Sequence, residues 1–384
     1  MRVVHVVPAL FGPDGIVGGA ERYAFELARH MATHVPTTLV TFGDRDRDEH
    51  DGALDVKVIG NPWYVRGQRT NPFAFRLFAA LRSADIVHCH QQHIVVSSAA
   101  AVWCRARRRR VFVSELGGGG WDVSAYVSTD GWFHGHLHLS DYSRRICRHE
   151  HAASAHVIGG GVDVDKFSPD ASVVRDGGAV FVGRILPHKG ITDLIRGLPP
   201  GMPLTVVGPK PDDDTAATLA DLARGKNVSF KHGLDDPGIV MEYRRASCIV
   251  LPSVYRTSIG TETAVPELLG QTLLEGMACG APAICTDVAS LPEIVDDGVT
   301  GFVVPPNDPV ALGERLRMFH LRPELVRSMG KAGRERVLEH FTWSSVVQRC
   351  LDVYEGTFRR PPHATAQAEM PTTNSTISAM HRAE

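Results

Sequence analysis

The chain has 384 residues, of which 43% are hydrophobic and 22% charged, and its formal net charge is -2. These values are typical of a soluble globular protein of two ordinary domains, and the near-neutral charge gives no reason to expect a nucleic-acid partner. Seven cysteines without a C-x-x-C pair indicate reduced thiols, and exclude a disulfide framework or a zinc-binding cysteine motif.

Strand and helix patterns alternate along the chain. In the first half, β-branched runs predict strands at 3–7, 37–42, 85–90, 111–115, 136–140 and 155–159, and helical patterns cover 20–31 and 73–82. In the second half, strands are predicted at 178–185, 203–208, 227–233, 247–253, 282–288 and 301–306. Such alternation is typical of βαβ units and parallel sheets. We therefore predict an α/β protein with two doubly wound, Rossmann-like domains facing a deep cleft.

The polar segment 165–177 is the predicted domain boundary. We predict an N-terminal Rossmann-like domain at 1–170 and a C-terminal Rossmann-like domain at 171–345. A C-terminal helix at 346–358 is expected to pack back on either domain, and the Pro-, Thr- and Ser-rich tail at 359–384 to be disordered. The N-terminal apolar run is broken too early for a signal peptide, and no stretch is long enough to span a membrane, so we expect a cytoplasmic protein.

The stretch FVGRILPHKG (181–190) follows a predicted strand and carries two cations, Arg184 and Lys189. Cations at the carboxyl end of a strand suit a diphosphate, with Arg as a fork and Lys as a point charge. The alternative is a pair of solvated surface cations.

The stretch PELLGQTLLEGMACGAP (266–282) holds two carboxylates, Glu267 and Glu275. On a helix they would lie about 12 Å apart along the axis and about 80° apart around it, so they cannot grip one small group together. Gly270 is a plausible helix start, where backbone amides would form an anion site. The alternative is a helix with a capping acid and a partly buried, salt-bridged glutamate.

Together with GGAERYAFELARH (18–30), these motifs resemble the retaining glycosyltransferases of family 4, which have the two-domain GT-B fold. The resemblance spans about residues 1–355 and continues into ASLPEIV and GFVVPP downstream. It implies a transferase that needs no cofactor or metal and uses a nucleotide diphosphate sugar as co-substrate, with the acceptor bound by the domain at 1–170 and the nucleotide sugar by the domain at 171–345. The composition, which is rich in Ala, Arg and Asp, indicates a bacterial source.

The resemblance also implies roles for individual residues. Arg184, Lys189 and Glu267 would be the catalytic group, with the two cations on the donor diphosphate and Glu267 on the sugar hydroxyls rather than acting as a nucleophile. Glu275 would bind the ribose. Backbone groups near the sugar and phosphates would come from Gly18, Gly19, Leu269, Gly270 and Gln271.

Two features depart from the family pattern, and one histidine matches it. The loop 254–266, before Glu267, is enlarged and would meet the donor sugar, where it could select the sugar or be ordinary surface. Glu115 stands where many members have a histidine, ahead of the glycine run 117–120, and is a candidate acceptor contact. His90 matches a family histidine and is also predicted in the acceptor cleft. We assign no metal to His88, His90 and His93, because no acidic partner is near in sequence.

We therefore predict a retaining glycosyltransferase that moves a sugar from a UDP- or GDP-sugar to a hydroxyl of a small soluble acceptor, such as a secondary-metabolite or cofactor precursor. A lipid- or surface-glycan-directed transferase and a sugar-nucleotide epimerase are alternatives. An NAD-dependent oxidoreductase and an inactive binding protein are weaker ones. The arginine run 105–110 leaves membrane association open but not favoured, and a monomer and a homodimer are both open.

Overall fold

A computed structural model describes residues 1–9, 18–117, 120–176, 178–257 and 259–359. These residues form two compact units: the first holds residues 1–159 and the segment from Trp343 onward, and the second holds residues 160–342. The predicted domains met at 170 and 171, with a separate helix at 346–358. Residues 360–384 of the predicted tail, and Gly118 and Gly119 of the glycine run, lie outside the described residues.

The first unit contains an eight-stranded sheet and a small two-stranded one. The large sheet has the order β10-β9-β8-β7-β1-β2-β4-β3, with all neighbours parallel except β3 and β4. The strands of the unit are β1 Val3–Val6, β2 Thr37–Gly43, β3 Arg47–Asp51, β4 Leu54–Gly60, β5 Trp63–Tyr64, β6 Pro72–Phe73, β7 Ile86–His90, β8 Arg110–Ser114, β9 Gly135–His138 and β10 Ala155–Val157.

The second unit contains a six-stranded parallel sheet with the order β13-β12-β11-β14-β15-β16. Its strands are β11 Ala179–Val182, β12 Leu204–Val207, β13 Val228–Lys231, β14 Cys248–Leu251, β15 Ala283–Thr286 and β16 Gly301–Val304. Numbered from one, this is the 3-2-1-4-5-6 order of the Rossmann fold. The predicted pair of Rossmann-like parallel sheets is therefore confirmed.

Helices cover the sheets, and their apolar stripes are buried against them. They are α1 Gly19–Ala32, α2 Leu77–Ala80, α3 Val95–Ala106, α4 Asp141–Ile146, α5 Ile191–Gly197, α6 Asp213–Leu222, α7 Asp236–Arg245, α8 Gln271–Ala278, α9 Leu291–Ile294, α10 Pro309–Leu321, α11 Pro323–His340 and α12 Trp343–Glu355.

All twelve predicted strands are present, but two predictions about the first half were incomplete or wrong. The helix predicted over 73–82 forms only at Leu77–Ala80, because Phe73 pairs with Trp63 in the small hairpin. The strands β3 and β4 were not predicted. The sequence of β3 is RDEHD, which is wholly polar, and it forms a strand only because it pairs with β4 at the sheet edge, where charged residues are tolerated.

The helix α12 belongs to the first unit and packs on α1. The ring of Trp343 lies 5.2 Å from that of Tyr23 and stacks on His30 at 5.6 Å, measured between centroids. The Tyr23 hydroxyl also donates to the carbonyl of Gly159 at 2.9 Å. The C-terminal helix thus completes the unit that contains the N-terminus, one of the two placements that the sequence left open.

Three histidines meet beneath α1 and α12 in the core of the first unit. His5 on β1 and His90 on β7 are hydrogen-bonded at 2.8 Å between Nδ1 and Nε2. His88 lies 2.9 Å from the Ser114 hydroxyl and 2.7 Å from that of Tyr354 on α12. All three imidazoles are buried. Burial lowers the pKa of His5 to about 3, and burial with the neighbouring imidazoles lowers the pKa of His88 and His90 well below 6.5.

Acidification is expected to destabilise the protein through this cluster. Below pH 6.5 the corresponding histidines of the unfolded chain take up protons, whereas those of the folded cluster stay neutral. The unfolding free energy that this difference contributes is therefore fully present above pH 6.5 and is lost as the pH falls. Each such histidine costs about 1.4 kcal/mol of unfolding free energy between pH 7.5 and 5.5. We expect H90Q to lose less stability than the wild type over this range, by about that amount, in urea denaturation with EDTA present. H50Q, which removes an exposed histidine paired with Asp55, is the control. An H90Q protein as acid-sensitive as the wild type would contradict this expectation.

Candidate active site

The strand order of the second unit brings two loops together at one edge of its sheet. Strands β11 and β14 are neighbours, although β12 and β13 separate them in sequence. The chain turns to opposite sides after these two strands, which leaves a crevice at their carboxyl ends, where α/β folds bind their ligands. The two loops are 183–190 and 252–270, and they carry the predicted site residues Arg184, Lys189, Glu267, Leu269 and Gly270.

The loop 183–190 is fastened to the segment that follows β14. The amide of Val254 donates to the carbonyl of His188 at 2.8 Å. Gly190 has a φ of 69°, and a Cβ there would lie 1.9 Å from the carbonyl oxygen of Pro252. Only glycine fits this position, both for its backbone conformation and for the close approach. The loop therefore holds Lys189 at a fixed place beside β14.

Lys189 and Glu267 form an ion pair at the centre of this edge. The distance from Nζ to Oε1 is 2.5 Å, and the side chains are 13% and 10% exposed. The Ser253 hydroxyl donates to the same oxygen at 2.7 Å. The Ser253 carbonyl in turn accepts from the Thr286 hydroxyl on β15 at 2.6 Å. Ser253 and Thr286 were not among the predicted residues, because neither stands in a recognisable motif.

The helix α8 begins where the sequence predicted. Gly270 is its N-cap, with φ 82° and ψ 46°, and as a glycine it has no side chain with which to cap the helix. A Cβ on Gly270 would lie 2.7 Å from a methyl group of Leu291, so a larger residue would displace the turn. The first-turn amides of an uncapped helix attract an anion. The side-chain amide of Gln271 donates to the carbonyl of Gly161 at 2.9 Å, which holds this first turn in place.

Glu275 lies on the second turn of α8 and is 3% exposed. Its Oε2 accepts a hydrogen bond from the Tyr243 hydroxyl at 3.0 Å, so α7 orients the carboxylate. A buried carboxylate that already has one donor is well placed to accept further hydroxyl donors. The structure thus gives Glu275 a fixed orientation, and Tyr243 is a partner that the sequence pattern did not indicate.

Arg184 and His188 lie on the same loop as Lys189. Arg184 is exposed on the loop after β11. His188 is partly buried, and its pKa is lowered to about 4, first by burial and then by the charge of Lys189. Because this pKa lies far below neutrality, His188 adds a neutral imidazole to a site whose positive charges are Arg184 and Lys189.

The enlarged loop folds back on itself as a short hairpin. The Thr263 amide donates to the Tyr255 carbonyl at 2.7 Å, and that of Thr257 to the Thr261 carbonyl at 2.8 Å. The Tyr255 hydroxyl accepts from the amide of Ala289 at 2.9 Å, which ties the hairpin to the loop after β15. Arg256 and Glu262 face each other across it and are both exposed. Ser258 lies outside the described residues.

The other predicted site residues lie in the first unit. Gly18 caps α1 and Gly19 is its first residue, but residues 10–17 before them lie outside the described part of the chain. His90 is buried in the histidine cluster beneath α12. His93 lies apart, 2.9 Å from the Ser124 hydroxyl.

Glu115 makes two backbone contacts. Its Oε2 accepts from the amide of Gln92 at 3.0 Å, and its Oε1 from that of Gly117 at 2.9 Å. In this structure, Glu115 therefore fixes the turn after β7. Its role toward an acceptor stays a prediction.

Three arginines of the run 105–110 contact other residues of the first unit. Arg105 donates to the Gly131 carbonyl at 3.1 Å, Arg107 stacks on Trp103 at 4.4 Å, and Arg109 donates to the Ala84 carbonyl at 2.7 Å. Within the described ranges, no helix combines the length and the apolar character needed to cross a bilayer.

Two family models match the chain, one for each half. The model described as Glycosyltransferase Family 4 matches residues 17–166, and the model described as Glycosyl transferases group 1 matches residues 170–336.

Curated relatives are about 30% identical to this chain over an aligned stretch of roughly half its length. The alpha-maltose-1-phosphate synthase of Mycolicibacterium smegmatis is 30% identical over 227 residues, which cover 52% of this chain and 56% of the relative. The GDP-mannose-dependent alpha-(1-6)-phosphatidylinositol monomannoside mannosyltransferase of the same species is 30% identical over 213 residues, which cover 51% and 55%. The chain spans about half the length of the curated relatives it matches.

Solved structures are similar over nearly the whole chain. Sucrose-phosphate synthase from Thermosynechococcus elongatus superposes with a TM-score of 0.70 at 21% identity, covering 92% of this chain and 98% of the other. Anabaena HepE, in complex with UDP and glucose, gives a TM-score of 0.71 at 17% identity, covering 93% and 100%. At these identities the likeness shows the fold, which is GT-B as predicted.

Proposed function

The chain belongs to the glycosyltransferases of family 4, and from this premise we propose that it transfers a sugar, with retention, from a UDP- or GDP-sugar to a hydroxyl of a small acceptor. The observation that carries the proposal is the ion pair of Lys189 with Glu267 at the edge where β11 and β14 end. It joins a cation for the donor phosphates to a carboxylate for the donor sugar.

The leaving group determines what the cations do. When the bond between the sugar C1 and the phosphate oxygen breaks, the nucleoside diphosphate gains negative charge. Arg184, Lys189 and the first-turn amides of α8, at Gly270 and Gln271, stabilise this charge. The acceptor oxygen bonds to C1 on the face that the phosphate leaves, and its proton passes to the leaving phosphate. No enzyme nucleophile is needed in this scheme.

The two glutamates bind opposite ends of the donor. Both bonds from Lys189 and Ser253 fall on Oε1 of Glu267, so Oε2 is the oxygen we assign to the sugar hydroxyls. Glu275, oriented by Tyr243, takes the ribose hydroxyls. The first turn of α8 lies between them, and its amides would face the diphosphate. The amide of Leu269 joins this backbone lining, and Gly18 and Gly19, at the start of α1, are proposed to let their own backbone approach the phosphates closely.

Membership of the family does not identify the acceptor. The names of relatives refer to compounds as different as maltose 1-phosphate and phosphatidylinositol monomannoside. We favour a small acceptor because three arginines of the basic run are engaged by the fold, which leaves fewer for lipid headgroups.

The function is tested with a donor panel. The purified chain is incubated with UDP-, GDP- and ADP-sugars, with and without small alcohol, sugar and phosphatidylinositol acceptors, and nucleoside diphosphate release is measured. We expect one nucleotide series to be turned over, faster with a soluble acceptor. Nucleoside diphosphate release that does not depend on any acceptor, with the donor sugar converted to an isomer, would favour the epimerase. Release stimulated only by the lipid would favour the lipid-directed enzyme.

The hairpin 254–266 is expected to select the donor sugar without affecting nucleotide affinity. Shortening it by replacing residues 256–262 with two glycines removes the pair Arg256 and Glu262 and should change the ratio of kcat/KM between two sugars by roughly 10-fold, the effect of one or two lost contacts. The nucleoside diphosphate Kd should stay unchanged. R224A, which removes an exposed arginine paired with Asp221, is the control. An unchanged sugar ratio would show that the hairpin is ordinary surface.

A further inference from the structure

A second cluster of titratable side chains lies in the first unit. Asp130 is on a 3₁₀ turn, His136 is on β9, and His149 follows α4. The distance from Asp130 Oδ1 to Nε2 of His149 is 3.7 Å, and to Nε2 of His136 it is 3.9 Å. One ligand atom from each residue lies within 4.8 Å of the other two. Two imidazoles and a carboxylate thus converge from three separate elements.

His136 supplies the second observation. Its side chain is 5% exposed, and neither of its ring nitrogens has a hydrogen-bond partner in the described structure. A buried imidazole without a partner costs free energy, and each such group requires an explanation. Its Nε2 faces the carboxylate of Asp130 at a distance too long for a hydrogen bond. An ion between these atoms would satisfy that nitrogen.

The surrounding residues orient the other two groups. His138 Nε2 lies 3.1 Å from His149 Nδ1, so the remaining nitrogen of His149, Nε2, is directed at the cluster. Gln92 donates its side-chain amide to Asp130 Oδ1 at 2.6 Å, and the Ser128 hydroxyl donates to Oδ2 at 3.2 Å. Metal-binding histidines and carboxylates are held by such outer hydrogen bonds.

We propose that Asp130, His136 and His149 bind a divalent ion of the zinc class. Imidazole and carboxylate ligands suit Zn²⁺, and sites with two histidines and one carboxylate leave a position for water. Bonds of about 2.0–2.1 Å in a tetrahedral site place ligand atoms about 3.4 Å apart. The observed 3.7 and 3.9 Å would thus shorten by a few tenths of an ångström, and Asp130, whose side chain is 50% exposed, has room to move.

The ion would tie this end of the unit together. It would link the 3₁₀ turn, β9 and the segment after α4. Gln92 would connect it to Glu115, because the Gln92 side chain donates to Asp130 and its backbone amide donates to the Glu115 carboxylate. This site could not be predicted from the sequence, because the three residues have no regular spacing and no recognisable motif. The proposal is independent of the transfer reaction, since binding needs no sugar.

The test is metal binding by the full chain without an affinity tag. After treatment with EDTA and its removal, Co²⁺ is titrated by visible absorption and Zn²⁺ by competition with a chromophoric chelator. We expect one equivalent to bind, and D130N and H149Q to weaken binding by at least about 100-fold, because even changes in residues behind the ligands cost 10–100-fold. Zn²⁺ should raise the Tm of the wild type but not that of D130N.

Two control variants locate the ion. H50Q removes an exposed histidine paired with a carboxylate, and H90Q removes a histidine of the buried cluster with His5 and His88. Both should bind like the wild type. Asp130 is half exposed, so D130N is expected to fold, and its circular dichroism without metal verifies this. The proposal is overturned if no saturable binding occurs, if D130N and H149Q bind as the wild type does, or if H90Q alone abolishes binding.

Discussion

K189M is expected to lower kcat by roughly 10²–10³-fold, the loss measured when one group that stabilises developing negative charge is removed. Methionine keeps much of the length and apolar character of the lysine chain but carries no charge. The ammonium group is lost from the leaving diphosphate, and Glu267 keeps only its bond from Ser253 among those described at Oε1. Turnover is measured as nucleoside diphosphate release at saturating donor.

Two further variants show whether the effect belongs to the site. K331A removes an exposed lysine paired with Glu335 and should leave turnover unchanged. The double variant K189M/E267Q should lose less activity than the two single losses combined, because the two residues form one buried pair and their effects are coupled. A K189M enzyme within threefold of the wild-type kcat would show that the cation does not act on the leaving group.

E275Q is expected to weaken nucleoside diphosphate binding by roughly 10–100-fold, the range for a hydrogen bond to a charged group. Glutamine still offers an oxygen to the Tyr243 hydroxyl, so the second turn of α8 should stay in place. The Kd is measured by calorimetry with UDP and GDP, and the Tm of each variant is recorded. Y243F removes the orienting hydroxyl but keeps the carboxylate, so its loss should be smaller.

The ribose contact itself is tested by removing the hydroxyl from the ligand. The wild type should bind the 2′-deoxy nucleotide more weakly than the ribonucleotide. E275Q should bind both alike, because the glutamine oxygen stays on Tyr243 and an amide nitrogen replaces the oxygen that accepted from the ribose hydroxyl. If E275Q discriminates between the two as strongly as the wild type, Glu275 has a structural role in α8 and does not bind the ribose.

Periodicity and motifs predicted much of this architecture. The twelve strands and the start of α8 at Gly270 follow from β-branched runs and from one glycine in a left-handed conformation. The strand β3 could not be predicted, because its residues are polar and only its pairing with β4 makes it a strand. The helix predicted over 73–82 failed because a tertiary pairing, Phe73 with Trp63, outweighed local helix propensity.

The sequence indicated candidate site residues only where a motif carries them; residues that contribute through packing had no such signal. Arg184, Lys189, Glu267 and Glu275 stand at spacings that a sequence shows directly. Tyr243, Ser253 and Thr286 orient two of these four, yet they come from other elements and share no spacing with them. The same reason hides the cluster of Asp130, His136 and His149, which forms only when β9 and the segment after α4 are brought together by the fold.

A crystal structure of the protein with bound nucleoside diphosphate tests the central claim most directly. We predict diphosphate oxygens within roughly 3 Å of Lys189 Nζ and of the amides at Gly270 and Gln271, and ribose hydroxyls within the same distance of Glu275. The nucleotide would thus lie along α8, between the two glutamates. A nucleotide bound elsewhere, or one whose ribose does not approach Glu275, would contradict the account.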